Sequence, residues 1–206
     1  MKKQNIILLL AVGIGLITLY VTFSEGNDQT AYIKKIEQER EEKDQRMRNG
    51  SDSPFAGKVD QYKGLTYYEP NIKYKITADF HPIQDKKVVM LGTSDGKQER
   101  YLEYAYAQFD LDGYNNKLLI LEMIDPGPNR GRLFLAFGDA TSATETYGAG
   151  RYLDINKVQG SNTITLDFNQ AYNPYCAYDD NFSCPLPPSE NLLRIAIRAG
   201  EKDYLH

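Results

Sequence analysis

The chain has 206 residues, room for one domain of ordinary size beside a membrane segment and a linker. Its 24 basic and 28 acidic residues give a net charge of −4, which leaves no basic footprint and disfavours nucleic acid as a partner. Sixteen tyrosines without a tryptophan, together with several alternating apolar runs, point to β structure, because aromatic and β-branched residues fit a pleated, half-buried surface.

In chain order, Met1-Lys2-Lys3-Gln4-Asn5 precedes a run without charge from Ile6 to Ser24. As a helix this run covers roughly 27 Å, close to the ~30 Å hydrocarbon core of a bilayer. A cleaved signal peptide is the rival reading. The length of the run, bulky Tyr20 and Phe23 near its end and the lack of an Ala-x-Ala site favour an uncleaved anchor spanning the membrane through Ile6 to Phe23. No cysteine follows, so lipoprotein processing does not apply. Lys2 and Lys3 before the run, with Glu25 and Asp28 after it, place the N-terminus in the cytoplasm and the rest outside, in the periplasm or extracellular space.

Asn27 to Arg48 is strongly charged and lacks proline and, after Gly26, glycine. This predicts a solvated spacer helix with acid-before-base pairs Glu39 with Lys43, Glu42 with Arg46 and Asp44 with Arg48. Tyr32, Ile33 and Ile36 offer a short coiled-coil or partner contact as the alternative. Asn49-Gly50-Ser51-Asp52-Ser53-Pro54 ends the helix, so the expected organisation is an anchor over 1–26, a charged spacer over 27–53 and a β domain over 54–206.

Within that domain Ile72, Tyr74, Ile76, Ala78 and Phe80 alternate with polar residues, a period of two with one buried and one wet face. Val88 to Leu91 and Tyr101 to Leu111 read as a hairpin around an Asp95-Gly96 turn. Asp112-Gly113 then turns the chain into Leu118 to Ile124. Further strands are expected at Leu133 to Phe137, Tyr152 to Ile155, Ile164 to Phe168 and Leu193 to Ile197. About eight strands with short turns predict an all-β fold, an antiparallel barrel or sandwich preceded by an N-terminal transmembrane helix and a charged spacer helix.

Gly148-Ala149-Gly150 is only a fragment of a dinucleotide fingerprint and lacks the βαβ context, so a tight bend explains it better. Near it, Glu145, Tyr147 and Arg151 form a candidate ligand-binding cluster, with Arg151 able to hold a carboxylate or phosphate bidentately. The competing reading pairs Arg151 internally with Glu145 or Asp167. Asp167, Asn169, Tyr172, Asn173 and Asn191, with Glu201 and Lys202, are the remaining ligand-binding candidates. They either line a pocket at the mouth of a barrel or satisfy the backbone of a proline-stiffened loop.

Cys176 and Cys184, the only cysteines, are a disulfide candidate if the domain lies in an oxidising compartment. Buried free thiols, a nucleophilic thiolate and a metal site are the alternatives. The last would have only His81 and His206 to draw on, at unremarkable spacings, so no metal and no cofactor is expected.

Four runs resemble one bacterial family. They are Glu145-Thr146-Tyr147-Gly148-Ala149-Gly150-Arg151-Tyr152-Leu153, Asp167-Phe168-Asn169-Gln170-Ala171-Tyr172-Asn173-Pro174, Cys184-Pro185-Leu186-Pro187-Pro188-Ser189-Glu190-Asn191 and Ala199-Gly200-Glu201-Lys202. In this order they are similar to DUF1684, a domain family of unknown function, over about Phe55 to Lys202. The resemblance agrees with a β fold and implies a short, membrane-anchored version, since the chain passes almost directly from Arg48 to Pro54. It carries no activity with it.

The sequence therefore leads to a membrane-anchored extracytoplasmic β domain acting as a binding or interaction module for a small molecule or an envelope protein. Two alternatives stand beside it. One is an envelope hydrolase or transferase using Glu145, Arg151, Asp167, Glu201 and Lys202. The other is a purely structural polar cluster with function on the outer surface.

Overall fold

The computed structural model describes residues 28–156 and 160–205. The expected membrane segment Ile6 to Phe23 lies outside the described residues, and among these no helix is long and apolar enough to cross a membrane. The chain divides into two compact units, Met1–Arg40 and Glu41–His206. Of the first, residues 28–40 are helical, with Lys35 and Glu39 paired at 3.6 Å one turn apart on an exposed face. The helix α1, residues 28–49, ends within the second unit.

In that second unit the charged helix is anchored rather than solvated. Lys43 reaches Glu201 at 2.6 Å, Asp44 accepts hydrogen bonds from the Tyr62 hydroxyl and the Leu65 N–H, and Met47 is buried. Asp44 and Lys43 are therefore engaged with the β domain instead of with helix neighbours. Met47 packs with Phe55, Tyr62, Ala177, Tyr178 and Tyr204 in a small apolar cluster.

The domain is mostly β, one antiparallel sheet of seven strands: β1 (Lys75–Pro82), β2 (Val88–Gly92), β3 (Gln98–Leu111), β4 (Tyr114–Met123), β5 (Leu133–Phe137), β6 (Arg151–Ile155) and β7 (Thr163–Asp167). They follow the order β6-β5-β4-β3-β1-β7, with β2 paired to β3 alone. Turns form where the residue types ask for them. Gly96 takes a φ of +81°, and Asp112 and Gly113 take +53° and +80° in the two-residue link between Leu111 and Tyr114, the left-handed pair that a tight hairpin requires. A register shift between Glu103 and Ala105 bulges β3 and turns Tyr104 into the core.

Alternation holds on β1 and fails in the centre of the sheet. Leu118, Leu119, Ile120 and Leu121 are each fully buried, and every residue of β5 is buried. One face is covered by the main core, which includes Phe109, Phe137, Phe168, Ile195 and Ile197. The other is covered by a second cluster in which Tyr101, Leu119, Phe134 and Tyr152 meet Cys176 and Cys184. A strand buried on both faces reads as a continuous apolar run, which is what Leu118 to Leu121 and Leu133 to Phe137 are.

One expected strand is absent. Leu193 to Ile197 alternates as predicted, Ile195 and Ile197 inward and Arg194 and Arg198 outward, yet no ladder forms. Its backbone is taken instead by scattered partners. The Ala140 N–H bonds the Ile195 carbonyl at 3.0 Å, the Ile197 N–H bonds Asp139 at 3.2 Å, and the Ile197 carbonyl accepts from Arg151 at 2.8 Å. Periodicity records which side chains are buried, and says nothing of what satisfies the backbone.

Candidate functional site

The bend before β6 positions the centre of the cluster. Gly150 has a φ of +91°, and a Cβ there would stand 2.6 Å from both the Phe137 carbonyl oxygen and Pro187 Cγ, so backbone is pressed against backbone. Arg151 follows and points inward, 1% exposed. Its guanidinium bonds Asp139 at 2.8 Å, the Ile197 carbonyl at 2.8 Å, the Glu201 carbonyl at 3.2 Å and the Ala199 carbonyl, and lies 5.3 Å from the Phe137 ring centre. Only Nε has no partner. Five N–H donors in a planar fork suit this work, which a lysine could not copy. The arginine thus serves as the missing ladder partner of the final extended segment.

The carboxylate beneath it is Asp139 and not Glu145 or Asp167. Asp139 accepts from the Thr141 N–H at 2.8 Å and the Thr141 hydroxyl at 2.6 Å as well as from Arg151. Sequence reasoning passed over Asp139. Its one signal was the Asp139-Ala140-Thr141 spacing, in which an aspartate caps the N–H two residues on. Glu145 is held instead by Arg198, at 2.7 Å and 3.1 Å, and by the Tyr68 hydroxyl at 3.0 Å. The Arg198 hydrogen bonds draw its carboxyl below the ordinary value, while burial and Glu145 push Tyr68 up to about 12. Asp167 caps the turn after β7, accepting from the Asn169 N–H and side-chain amide, each at 3.1 Å.

A second knot forms around Glu201, itself 1% exposed. Its carboxylate takes Lys43 at 2.6 Å, the Asn173 amide at 3.2 Å and the Tyr178 hydroxyl. Burial first, then Glu201, raises Tyr178 well above an ordinary phenol. Lys43 also stands 4.8 Å from the Tyr172 ring centre, and the Tyr172 hydroxyl bonds Asp154 at 2.9 Å. Lys202 does not join its neighbour. It lies 4.9 Å over the Tyr68 ring. Glu201 and Lys202 are therefore no acid–base pair, since successive residues of an extended segment face opposite ways. Lys43 and Tyr178 carry no sequence pattern that could have nominated them.

The asparagines work on backbone. Asn169 bonds both the N–H and the carbonyl of Asn71, each at 2.8 Å. Asn191, fully buried, accepts from the Leu119 N–H at 2.7 Å and donates to the carbonyls of Leu119 and Ala136 at 3.0 and 2.8 Å. It fills the gap where β4 and β5 have parted, their ladder being confined to Leu121, Glu122, Leu133 and Phe134.

Cys176 and Cys184 are buried free thiols lying together. The Cys176 N–H bonds Cys184 Sγ at 3.2 Å, and the Tyr147 hydroxyl stands 3.6 Å from Cys176 Sγ. Among the described residues no three His, Cys, Asp or Glu side chains converge as a metal ion would need.

Open space lies beside these knots rather than within them. A groove of about 370 Å³ is bounded by Gly138, Asp139, Ser142, Gly148 to Gly150, Leu186, Pro187, Leu192 and Leu193. Leu186 and Leu192 stand at 37% and 59% exposure on its rim. The Leu192 side chain lies against Gly138, where a Cβ would meet its Cδ2 at 2.9 Å. Of the predicted site residues none lines this groove; the glycine bend and the proline run do.

A search of curated proteins finds no match to this chain. The solution NMR structure of an uncharacterized protein of Haloarcula marismortui is similar, with 36% identity and a TM-score of 0.65 over 85% of this chain and 96% of that one. Residues 60–202 match the family described as protein of unknown function DUF1684. The Gly148 bend, the Asp167 turn, the Cys184 to Pro188 run and Glu201 itself all fall inside that match, and the chain belongs to the DUF1684 family.

Proposed function

We propose that this domain is a non-enzymatic recognition module that binds a small, largely apolar molecule in the groove between the Gly148 bend and the Leu186 to Leu193 segment, and that the polar knots around Arg151 and Glu201 are its scaffold. The observation that carries this reading is the division of labour between them. Arg151 and Glu201 are sealed inside the fold, whereas the nearest concavity is lined by glycine, proline and aliphatic residues with Asp139 and Ser142 as its polar groups. A volume of about 370 Å³ lies within the range of ligand sites, roughly 300–1,000 Å³, where apolar walls with few polar groups are usual.

In the same reading the sheet is a partly closed barrel. Its end strands β6 and β7 have Cα atoms within 8 Å of each other, and an isolated bridge from Tyr152 to Tyr172 draws the edge of β6 towards the chain that follows β7. The segment Ile6 to Phe23 anchors the module, with its domain on the extracytoplasmic side.

A thermal-shift screen of the protein in detergent, against acyl chains and other small amphipathic envelope components, tests this. A ligand at a hundredfold excess over Kd stabilises the native state by about 2.7 kcal/mol. The expected result is a shift seen with the native sequence and lost in Leu192→Asp, whose exposed position spares the fold. A shift that survives Leu192→Asp places the site elsewhere. The absence of any shift, with an envelope protein crosslinking to the same rim, would replace the small-molecule reading with a protein partner.

A further inference from the structure

The polar knots leave the two cysteines unused. Two separate backbone anchors bring these together. Cys176 sits in the 3₁₀ turn Tyr175–Ala177. Cys184 is fixed to the β2–β3 turn, its carbonyl accepting from the Ser94 N–H at 2.9 Å and its N–H donating to the Ser94 hydroxyl at 3.1 Å. Ser183 adds a hydrogen bond to Asp95 at 2.7 Å. The sulfurs meet because both ends of the intervening loop are held.

We propose that Cys176 and Cys184 form a redox-active dithiol that closes to a disulfide by exchange with an external disulfide, with Cys176 as the attacking sulfur. The two thiols differ in surroundings, as that chemistry requires. Cys176 Sγ is approached by the Tyr147 hydroxyl and by the Cys184 thiol, so its charged form is supported. The Cys184 hydrogen bond, assisted by Tyr147 and Ser94, draws Cys176 down to about 6, and the same contact with burial pushes Cys184 up. A lowered thiol next to a protonated one is the arrangement in which one sulfur attacks and the other resolves.

The step balances. Cys176 thiolate attacks one sulfur of the external disulfide, giving a mixed disulfide and releasing one thiolate. Cys184 then loses its proton to solvent and attacks the Cys176 sulfur, which closes the intramolecular bond and expels the second thiol. Two electrons pass from the protein to the external disulfide, which departs as two thiols. Each cysteine is buried, at 7% exposure, so the exchange proceeds through local opening of the loop between them.

The test is a titration of the whole protein in glutathione buffers of graded potential, quenched in acid, alkylated and weighed. The expected product lacks two hydrogens, appears in a single two-electron transition and carries no glutathione. A folded protein that stays reduced in every buffer overturns the proposal, as does a stable glutathione adduct as the end product. Limited alkylation of the reduced native protein, mapped by peptide mass, supplies an independent readout. At neutral pH, Cys176 should be modified at least about tenfold faster than Cys184, following its thiolate fraction. Tyr147→Phe should move the reactivity profile of Cys176 to higher pH. Equal modification of the two cysteines in the native protein would contradict the assigned roles.

Discussion

Replacing Arg151 by alanine removes more than a charge. Asp139 and Arg151 are each 1% exposed at their side chains, and breaking a buried ion pair from one side costs roughly 3–5 kcal/mol because the remaining charge is stranded. The carbonyls of Ile197, Ala199 and Glu201 lose their donor at the same time, at about 1 kcal/mol or more each for a buried acceptor left unpaired. These losses overlap, so the expected cost is about 5 kcal/mol, comparable with the whole stability of a small domain at roughly 5–15 kcal/mol. Arg151→Ala should therefore keep its fold only with a margin smaller by about 5 kcal/mol, read as a large fall in the urea midpoint. Arg151→Lys keeps the charge and one donor, and should lose about half as much. Urea unfolding followed by far-ultraviolet circular dichroism gives both numbers, with the m-value as the check that the same surface is exposed. A loss under about 1.5 kcal/mol for Arg151→Ala, at unchanged m-value, would refute the view that this side chain stands in for a strand.

Asn191→Ala should cost about 2–4 kcal/mol, since it orphans the N–H and carbonyl of Leu119 and the carbonyl of Ala136 inside the sheet; hydrogen exchange at Leu119 should rise with it. Lys43→Met should lower stability by about 2–3 kcal/mol by stranding Glu201, and proteolysis just before Glu41 should accelerate. At alkaline pH the sign follows from the tyrosines. Burial raises Tyr62, Tyr101, Tyr152, Tyr172 and Tyr178, so stability is intact below about pH 10, the unfolded value, and declines above it. Tyrosinate absorbance should therefore rise in one abrupt step with unfolding. On the acid side Asp179 lies lowered to about 2 by Lys58, and Asp95 and Glu145 are lowered by Lys97 and Arg198. Their contribution is present above about pH 4 and fades as pH falls towards the folded values; Asp95→Asn should flatten that decline in urea midpoints.

The local parts of the fold were legible because local chemistry determines them. Asp95-Gly96 and Asp112-Gly113 make turns wherever they occur between apolar runs, and β1 alternates because one of its faces is wet. The final segment misled because Ile195 and Ile197 are buried like strand residues while their backbone is served by Asp139 and Arg151, 46 or more positions away. The internal use of Arg151 was one of the readings available, but its partner was not, since Glu145, Asp139 and Asp167 are equally acidic in a string of letters. Lys43 looked like one charge among many on a polar helix. Only the fold brings it to Glu201.

The floor of the groove has a consequence for how this protein can diverge. A Cβ at Gly150 would stand 2.6 Å from the Phe137 carbonyl oxygen at a φ of +91°, so that point of the cleft is fixed by backbone, whereas the space at Gly138 is closed only by the Leu192 side chain. On the proposed reading of the groove as a binding site, selectivity would be set in the rim, at Leu186, Leu192, Leu193, Ser142 and Ala149. Five positions form a vocabulary small enough to be sampled completely. On the same reading, a library confined to them should retune selectivity.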